Sequence, residues 1–280
     1  MGKLLVIDGS NLLFQMFYGM PARITGKGGK AIQGTLGFIG ALGKIVRMVE
    51  PTHIVVLFDG EGEKERPALD ADYKANRPDW RAMSEDETPF SQLPDIYAAL
   101  DHLGIKHTEC TSVECDDVVA SYVRNYEKAH DIVISSFDSD FFQLISESVS
   151  VIRYRGDCSV ICTPSYIRDR FGVSAPQYAD YKSLVGDTSD NIKGVPGVGP
   201  KTAAALITEY GSVEGVIEAS EHIARRSVRE SITESIDRIR LNYRLIKLIG
   251  DAPLPFDLDE LEYVKALPKT RNVLESVGII

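Results

Sequence analysis

Residues 4–8 read Leu-Leu-Val-Ile-Asp, residues 54–59 Ile-Val-Val-Leu-Phe-Asp, and residues 132–138 Ile-Val-Ile-Ser-Ser-Phe-Asp. Each run is short, apolar and rich in β-branched side chains, and each closes on an aspartate: Asp8, Asp59 and Asp138. Such runs predict buried strands of a parallel sheet, and ligands of parallel sheets collect outside the carboxyl ends of their strands. Helical patterns alternate with the strands, one through Tyr18 and one over about Gly34–Val49. The fold class that follows is α/β, a mostly parallel central sheet flanked by helices.

Working outward from the strand ends, more acids come in clusters. Glu114, Asp116 and Asp117 stand in Val-Glu-Cys-Asp-Asp, Asp140 two residues after Asp138, and Asp187 and Asp190 in Gly-Asp-Thr-Ser-Asp-Asn. Carboxylates crowded into one crevice repel one another unless a cation sits among them, so the pattern predicts a divalent-metal site. Helix capping accounts for Asp116 and Asp117 at the head of a helix running to about Ala129. It does not account for Glu114 and Asp117 lying three apart on one face.

The 41 acidic and 31 basic residues give a net charge of −10, which taken alone argues against nucleic acid. Nine of those acids belong to the predicted metal site, and bound ions would offset part of their charge, so distribution matters more than the total. The amino-terminal apolar stretch is too short for a signal peptide or a membrane span, and a cytoplasmic protein with no membrane partner is expected. The four cysteines form no Cys-x-x-Cys pair; His107 with Cys110 and Cys115 is a faint zinc pattern, and reduced thiols are the expectation.

Between Glu61 and Leu93 the composition shifts to charges of both signs, prolines and the single tryptophan, which predicts a long insertion between strands. Within it Lys74 and Arg77 would share a helix face, serving either a ligand or a solvated surface. Asp95–Leu103 reads as a helix stopped by Gly104, a short strand is expected near residues 105–107, and residues 149–154 and 159–163 read as a hairpin about Arg155-Gly-Asp157. From Pro164 onward the pattern is helical to the end. The expected organisation is a core over residues 1–163, with its insertion at about 61–93, and a helical region over 164–280.

The most specific local signal is Gly194-Val-Pro-Gly197-Val-Gly199-Pro-Lys201-Thr202, between a helix ending near Val185 and one running to Tyr210. Glycines in a tight turn ahead of a helix start expose backbone N–H groups that hold phosphate without reading bases, and Lys201 and Thr202 add a charge and a hydroxyl. A plain Gly/Pro connection is the alternative. Tyr18 is either a platform for a terminal base or an ordinary helix residue.

Taken together, the stretches LLVIDGSNLLF, VVLFDG, Arg66 with DYKANRP, VECDDV, SSFDSDFFQLI and LVGDTSDNIKGVPGVGPKTAAALI resemble the bacterial and phage 5′ nuclease family, the flap endonucleases and the 5′ to 3′ exonuclease domain of DNA polymerase I. The chain resembles the free-standing bacterial form. The resemblance implies a helical arch in the insertion and a helix–three-turn–helix over about 186–210 that grips duplex DNA and holds K⁺. It implies a first metal group of Asp8, Asp59, Glu114, Asp116 and Asp138 and a second of Asp117, Asp140, Asp187 and Asp190. It also implies that Lys74, Arg77 and Arg66 contact the scissile phosphate.

The activity so implied is hydrolysis of phosphodiesters at 5′ flaps and 5′ ends, with two or more Mg²⁺ or Mn²⁺ ions, in replication and repair. The partner is branched or 5′-ended duplex DNA, RNA-primed duplex included, met by a monomer. Departures from the pattern stand at Gln15, where many relatives have arginine, at Ser139, where lysine is frequent, and in the acidic stretch after Arg77. A non-catalytic DNA-junction binder and a metal-dependent ribonuclease are the rival readings.

Overall fold

The computed structural model describes residues 2–20, 22–62, 65–76, 88–264 and 267–280. Six strands form one sheet: β1 (Gly2–Asp8), β2 (His53–Asp59), β3 (Lys106–Cys110), β4 (His130–Ser135), β5 (Val149–Arg153) and β6 (Val160–Cys162). Their order is β3-β2-β1-β4-β5-β6, parallel throughout except for the β5–β6 hairpin. Because the chain goes from β1 to one side and returns to add β4 on the other, the order reverses between β1 and β4. Parallel sheets bind ligands outside the carboxyl ends of their strands at such a reversal.

Strand alternation sends successive side chains to opposite faces. Leu4, Val6, Val55, Leu57, Ile132 and Ile134 enter one core, while Leu5, Ile7, Ile54, Val56 and Phe58 enter another. The helices α1 (Gly9–Gly19), α2 (Gln33–Val49), α4 (Leu93–Leu103) and α12 (Thr270–Ser276) cover the second face. On the first lie α5 (Cys115–Tyr126) and the carboxyl-terminal helices α6 (Pro164–Phe171), α7 (Tyr178–Val185), α8 (Pro200–Tyr210), α9 (Val213–Glu218), α10 (Arg226–Glu234) and α11 (Ile236–Ile246). Both faces being dry explains why the strands read as unbroken apolar runs.

The expected strand near residues 105–107 is longer and lies later, over Lys106–Cys110. Gly104 stops α4 in the left-handed region at φ 68°, and the chain needs the next residue to turn before pairing begins. The reading of residues 164–280 as wholly helical also needs correction. A two-stranded antiparallel ladder, β7 (Gly186–Asp187) with β8 (Ile192–Lys193), folds the Gly-Asp-Thr-Ser-Asp-Asn stretch into a tight loop. Gly186 adopts φ +84°, and a Cβ there would stand 2.4 Å from the Gly194 nitrogen, so only glycine closes this loop. Of the insertion, residues 61–62, 65–76 with α3 (Glu65–Leu69), and 88–93 are described, whereas residues 63–64 and 77–87, Arg77 among them, fall outside the described residues. Among the described residues no helix is long and apolar enough to cross a membrane.

Candidate metal centre and nucleic-acid interface

Asp8 ends β1 and caps α1, where its Oδ1 accepts the backbone N–H of Asn11 at 2.9 Å. The abrupt turn from strand to helix needs Gly9, since a Cβ there would lie 2.6 Å from the Phe58 ring. Ser136 links the neighbouring strand end: its hydroxyl donates to Asp8 Oδ2 at 2.8 Å and accepts the N–H of Asp138 at 2.9 Å. Asp138 Oδ1 in turn accepts the N–H of Asp140 at 2.8 Å. One polar chain therefore runs from β1 across β4 and fixes the spacing of Asp8, Asp138 and Asp140.

Burial pushes the Asp8 carboxyl up to about 7, and the charges of Asp59 and Asp138 add to the shift against the bonds from Asn11 and Ser136. Asp116, in the first turn of α5, is also raised, first by burial and then by Asp138, Asp59 and Asp8, while Lys74 pulls the other way. Asp8, Asp59, Asp116 and Asp138 thus act on one another as like charges. An all-carboxylate donor set without histidine or thiolate suits a hard divalent ion such as Mg²⁺ or Mn²⁺, and such an ion would relieve the repulsion that raises Asp8 and Asp116. The donor set fits.

A second group forms beside it. Carboxylate oxygens of Asp140, Asp187 and Asp190 lie within 4.8 Å of one another. Asp187 and Asp190 are brought there by the β7–β8 loop, whose conformation is held by Ser189 donating its N–H and hydroxyl to Asp187 Oδ1 at 2.8 and 2.6 Å. Asp117 is outside this group: its Oδ1 accepts from Arg66 at 2.9 Å and from the N–H of Ile249 at 3.1 Å. Lys182 of α7, a residue the motif reading passed over, inserts its ammonium between Asp140 and Asp187 and donates to Ser139 Oγ at 3.2 Å. Burial works against its charge, but Asp140, Asp138 and Asp187 outweigh that and hold the ammonium above the ordinary lysine range. A lysine on the buried stripe of Tyr178, Tyr181 and Leu184 was the signal that it needed buried partners.

The basic residues divide. Arg66 is buried, and its guanidinium donates to Glu114 Oε2 at 2.7 Å, to Asp117, and to the Lys247 carbonyl at 3.2 Å. In this structure it ties the head of α5 to the Lys247 carbonyl through these contacts. Lys74 bridges to Glu114 at 3.3 Å and remains partly accessible. Although burial works against its charge, neighbouring Tyr73, Glu114, Asp116 and Asp190 raise it above the ordinary lysine range. The segment carrying Lys74 is stitched to the second carboxylate loop, with Asn76 Nδ2 donating to the Thr188 carbonyl at 2.9 Å and Asn191 Nδ2 to the Asp72 carbonyl at 2.7 Å.

The glycine turn is anchored by Val195 and Val198, both buried, and by the Val195 N–H on the Leu184 carbonyl at 2.8 Å. Gly197, Gly199 and Lys201 are exposed, Gly194 and Thr202 partly so, and α8 starts at Pro200 after Gly199 as its cap. Gly194 passes so close to α7 that a Cβ would lie 2.2 Å from the Val185 carbonyl oxygen. The turn thus presents an outward backbone surface within a few residues of Asp190. Tyr18 is half-exposed on α1, its ring 5.1 Å from Phe17. Gln15 donates to the Tyr154 carbonyl at 2.6 Å. All four cysteines are free thiols.

Two family models match in succession: the 5′-3′ exonuclease N-terminal resolvase-like domain over residues 3–172 and the 5′-3′ exonuclease C-terminal SAM fold over residues 173–269. A 5′-3′ exonuclease of Aquifex aeolicus is 33% identical over 263 residues, covering 94% of this chain and 87% of its own. DNA polymerase I of Rhizobium leguminosarum is 35% identical over 92% of this chain, which spans only 26% of that enzyme. The fold is also that of a bacteriophage T5 flap endonuclease variant solved as a pseudo-enzyme-product complex with DNA and metal ions, at TM-score 0.74 and 20% identity over 98% of this chain and 99% of that one. The two family models and the Aquifex relative place the chain in the 5′-3′ exonuclease family, with a resolvase-like domain followed by a SAM fold.

Proposed function

We propose that the chain is a structure-specific 5′ nuclease that hydrolyses phosphodiesters at 5′ flaps and 5′ ends of DNA during replication and repair, acting as a cytoplasmic monomer. The observation that supports this most is the convergence of Asp8, Asp59, Asp116 and Asp138 into one field with Asp140, Asp187 and Asp190 beside it. Mg²⁺ or Mn²⁺ would be held by Asp8, Glu114, Asp116 and Asp138, with Asp59 close by, and by Asp140, Asp187 and Asp190. When bound, these ions supply a lowered pKa for the attacking water and charge stabilisation for the leaving oxygen.

The protein's own groups do the rest. Lys74, and Arg77 by the same resemblance, supply positive charge to the phosphate under attack, and the glycine turn with Lys201 and Thr202 holds the duplex backbone at a fixed distance from the carboxylates. A K⁺ ion at that turn, held by backbone carbonyls, would add to the grip. Arg66 orients Glu114 and Asp117. Tyr18 offers an exposed ring for a terminal base.

Labelled 5′-flap DNA, RNA-primed duplex and single-stranded RNA, each incubated with and without Mg²⁺, test the reading. Metal-dependent release of a flap or 5′ nucleotides is expected. Flap binding without cleavage identifies a junction binder, and cleavage of single-stranded RNA alone identifies a ribonuclease.

A further inference from the structure

The strongest unexplained feature is Lys182. An ammonium has three N–H donors, and here all three have acceptors on one side of α7: Asp140 Oδ1, Asp187 Oδ2 and Ser139 Oγ. The side chain is buried, at 6% exposure, with Asp140 buried at 8% and Asp187 partly buried at 11%. Two of the three carboxylates that could hold a second divalent ion are therefore already engaged by a cation belonging to the protein.

We infer that Lys182 is a built-in competitor for the second metal position, occupying Asp140 and Asp187 until a divalent ion displaces it. This rests on reading Asp140, Asp187 and Asp190 as a metal-holding group. The two states exclude each other, because an ammonium and a divalent ion cannot share the same oxygens without severe like-charge repulsion. Room exists for the displaced side chain: Lys182 lines an open groove of about 640 Å³ with Tyr181, Asp187, Asn191 and Gly194. The groove runs to the base of the glycine turn, so the ammonium would move toward the face proposed to hold the DNA backbone. The consequence is an uneven pair of sites. The group around Asp8 and Asp116 fills first, and the group around Asp140 fills only at higher ion concentration.

Calorimetric titration of the full chain with Mn²⁺ tests this on the wild type, Lys182→Met and Lys182→Gln. The wild type should show two classes of site of unequal affinity. Either variant should tighten the weaker class by about tenfold or more while leaving the stronger class unchanged. Two classes unaltered by the substitutions overturn the inference alone. Ion uptake by none of the three proteins overturns it together with the reading it rests on. A measurement on the wild type keeps the matter decidable if both variants fail to fold. In spectra of ¹⁵N-lysine-labelled protein, the exchange-protected Lys182 ammonium resonance should shift or vanish as Mg²⁺ fills the weaker class, and a resonance unmoved at saturation overturns the inference.

Discussion

The backbone N–H of Lys74 donates to the carbonyl of Asp190 at 3.0 Å, so the basic insertion and the second carboxylate loop are held as one unit. Lys74 accepts a left-handed backbone, φ 58°, to make that bond, a conformation that costs a non-glycine residue on the order of 1 kcal/mol. Its ammonium is thereby aimed at Glu114 beside the first carboxylate group. Lys74→Ala should lower kcat about 10²-fold or more with little change in KM, whereas Lys74→Gly, which relieves the backbone, should lose the same rate while retaining more stability. Steady-state kinetics on a 5′-flap substrate with parallel melting curves check both. A wild-type rate in either variant removes Lys74 from catalysis.

Arg66 acts differently because it is out of reach of solvent. Removing the partner of the buried Glu114 and the partly buried Asp117 leaves uncompensated charge, which typically costs about 3–5 kcal/mol. Arg66→Met should therefore lower Tm markedly in EDTA, and Mg²⁺ should restore part of the loss by neutralising the group that Glu114 borders. A variant that keeps its Tm but loses phosphate-dependent activity would instead place Arg66 at the substrate.

Much of this was legible in the sequence, for identifiable reasons. The strands could be read because both faces of the sheet are dry, and Asp8, Asp59 and Asp138 stood out because they follow the apolar runs of three adjacent strands at their carboxyl ends. The glycine turn could be read because Gly186 and Gly194 stand where any Cβ would strike backbone. Three features could not. The β7–β8 ladder is two residues per strand, too short for any periodicity to show. The buried partners of Arg66 could not be read, because Glu114, Asp117 and the Lys247 carbonyl are 48 to 181 residues away. Lys182 carries no motif at all, and its role comes from the packing of α7 against the Asp138–Asp140 turn.

The Asp8 carboxyl sets a pH dependence whose sign can be worked out. Its folded pKa is raised from 3.8 to about 7, so between those values the folded protein holds a proton that the unfolded chain has released. Stability of the metal-free protein should be full below about pH 4 as far as Asp8 is concerned and should fall as pH rises toward 7, by up to about 4 kcal/mol at one pKa unit per ~1.4 kcal/mol. Mg²⁺ needs the deprotonated ligand, so the stabilisation it gives should grow over the same range. Melting curves from pH 5 to pH 8, with EDTA or Mg²⁺, should diverge as pH rises. Asp8→Asn should flatten the EDTA series, and curves that stay parallel in the wild type contradict the assignment.

Lys201 stands exposed at the head of α8, next to the glycine turn. Phosphate contacts carry no base information, so Lys201→Ala should weaken duplex binding by the same factor for unrelated sequences and reduce the slope of log K against log salt by about 1. Fluorescence anisotropy on two duplexes of different sequence at several salt concentrations measures both quantities. A loss confined to one sequence would show base reading and would move the backbone grip elsewhere.

Asp138 is the hinge of the polar chain, accepting the Asp140 N–H while its own N–H rests on Ser136, the residue that also bonds Asp8. Asp138→Asn keeps an oxygen able to accept from Asp140, so the loop should hold its shape and the melting temperature in EDTA should not fall. What it removes is charge, and with it both the repulsion that raises Asp8 and Asp116 and the attraction for a divalent ion. Flap cleavage should drop by at least about 10²-fold while flap binding, which the proposal assigns to the glycine turn, persists. Retained Mg²⁺-dependent cleavage by this variant would show that the carboxylates at the strand ends are not the catalytic centre.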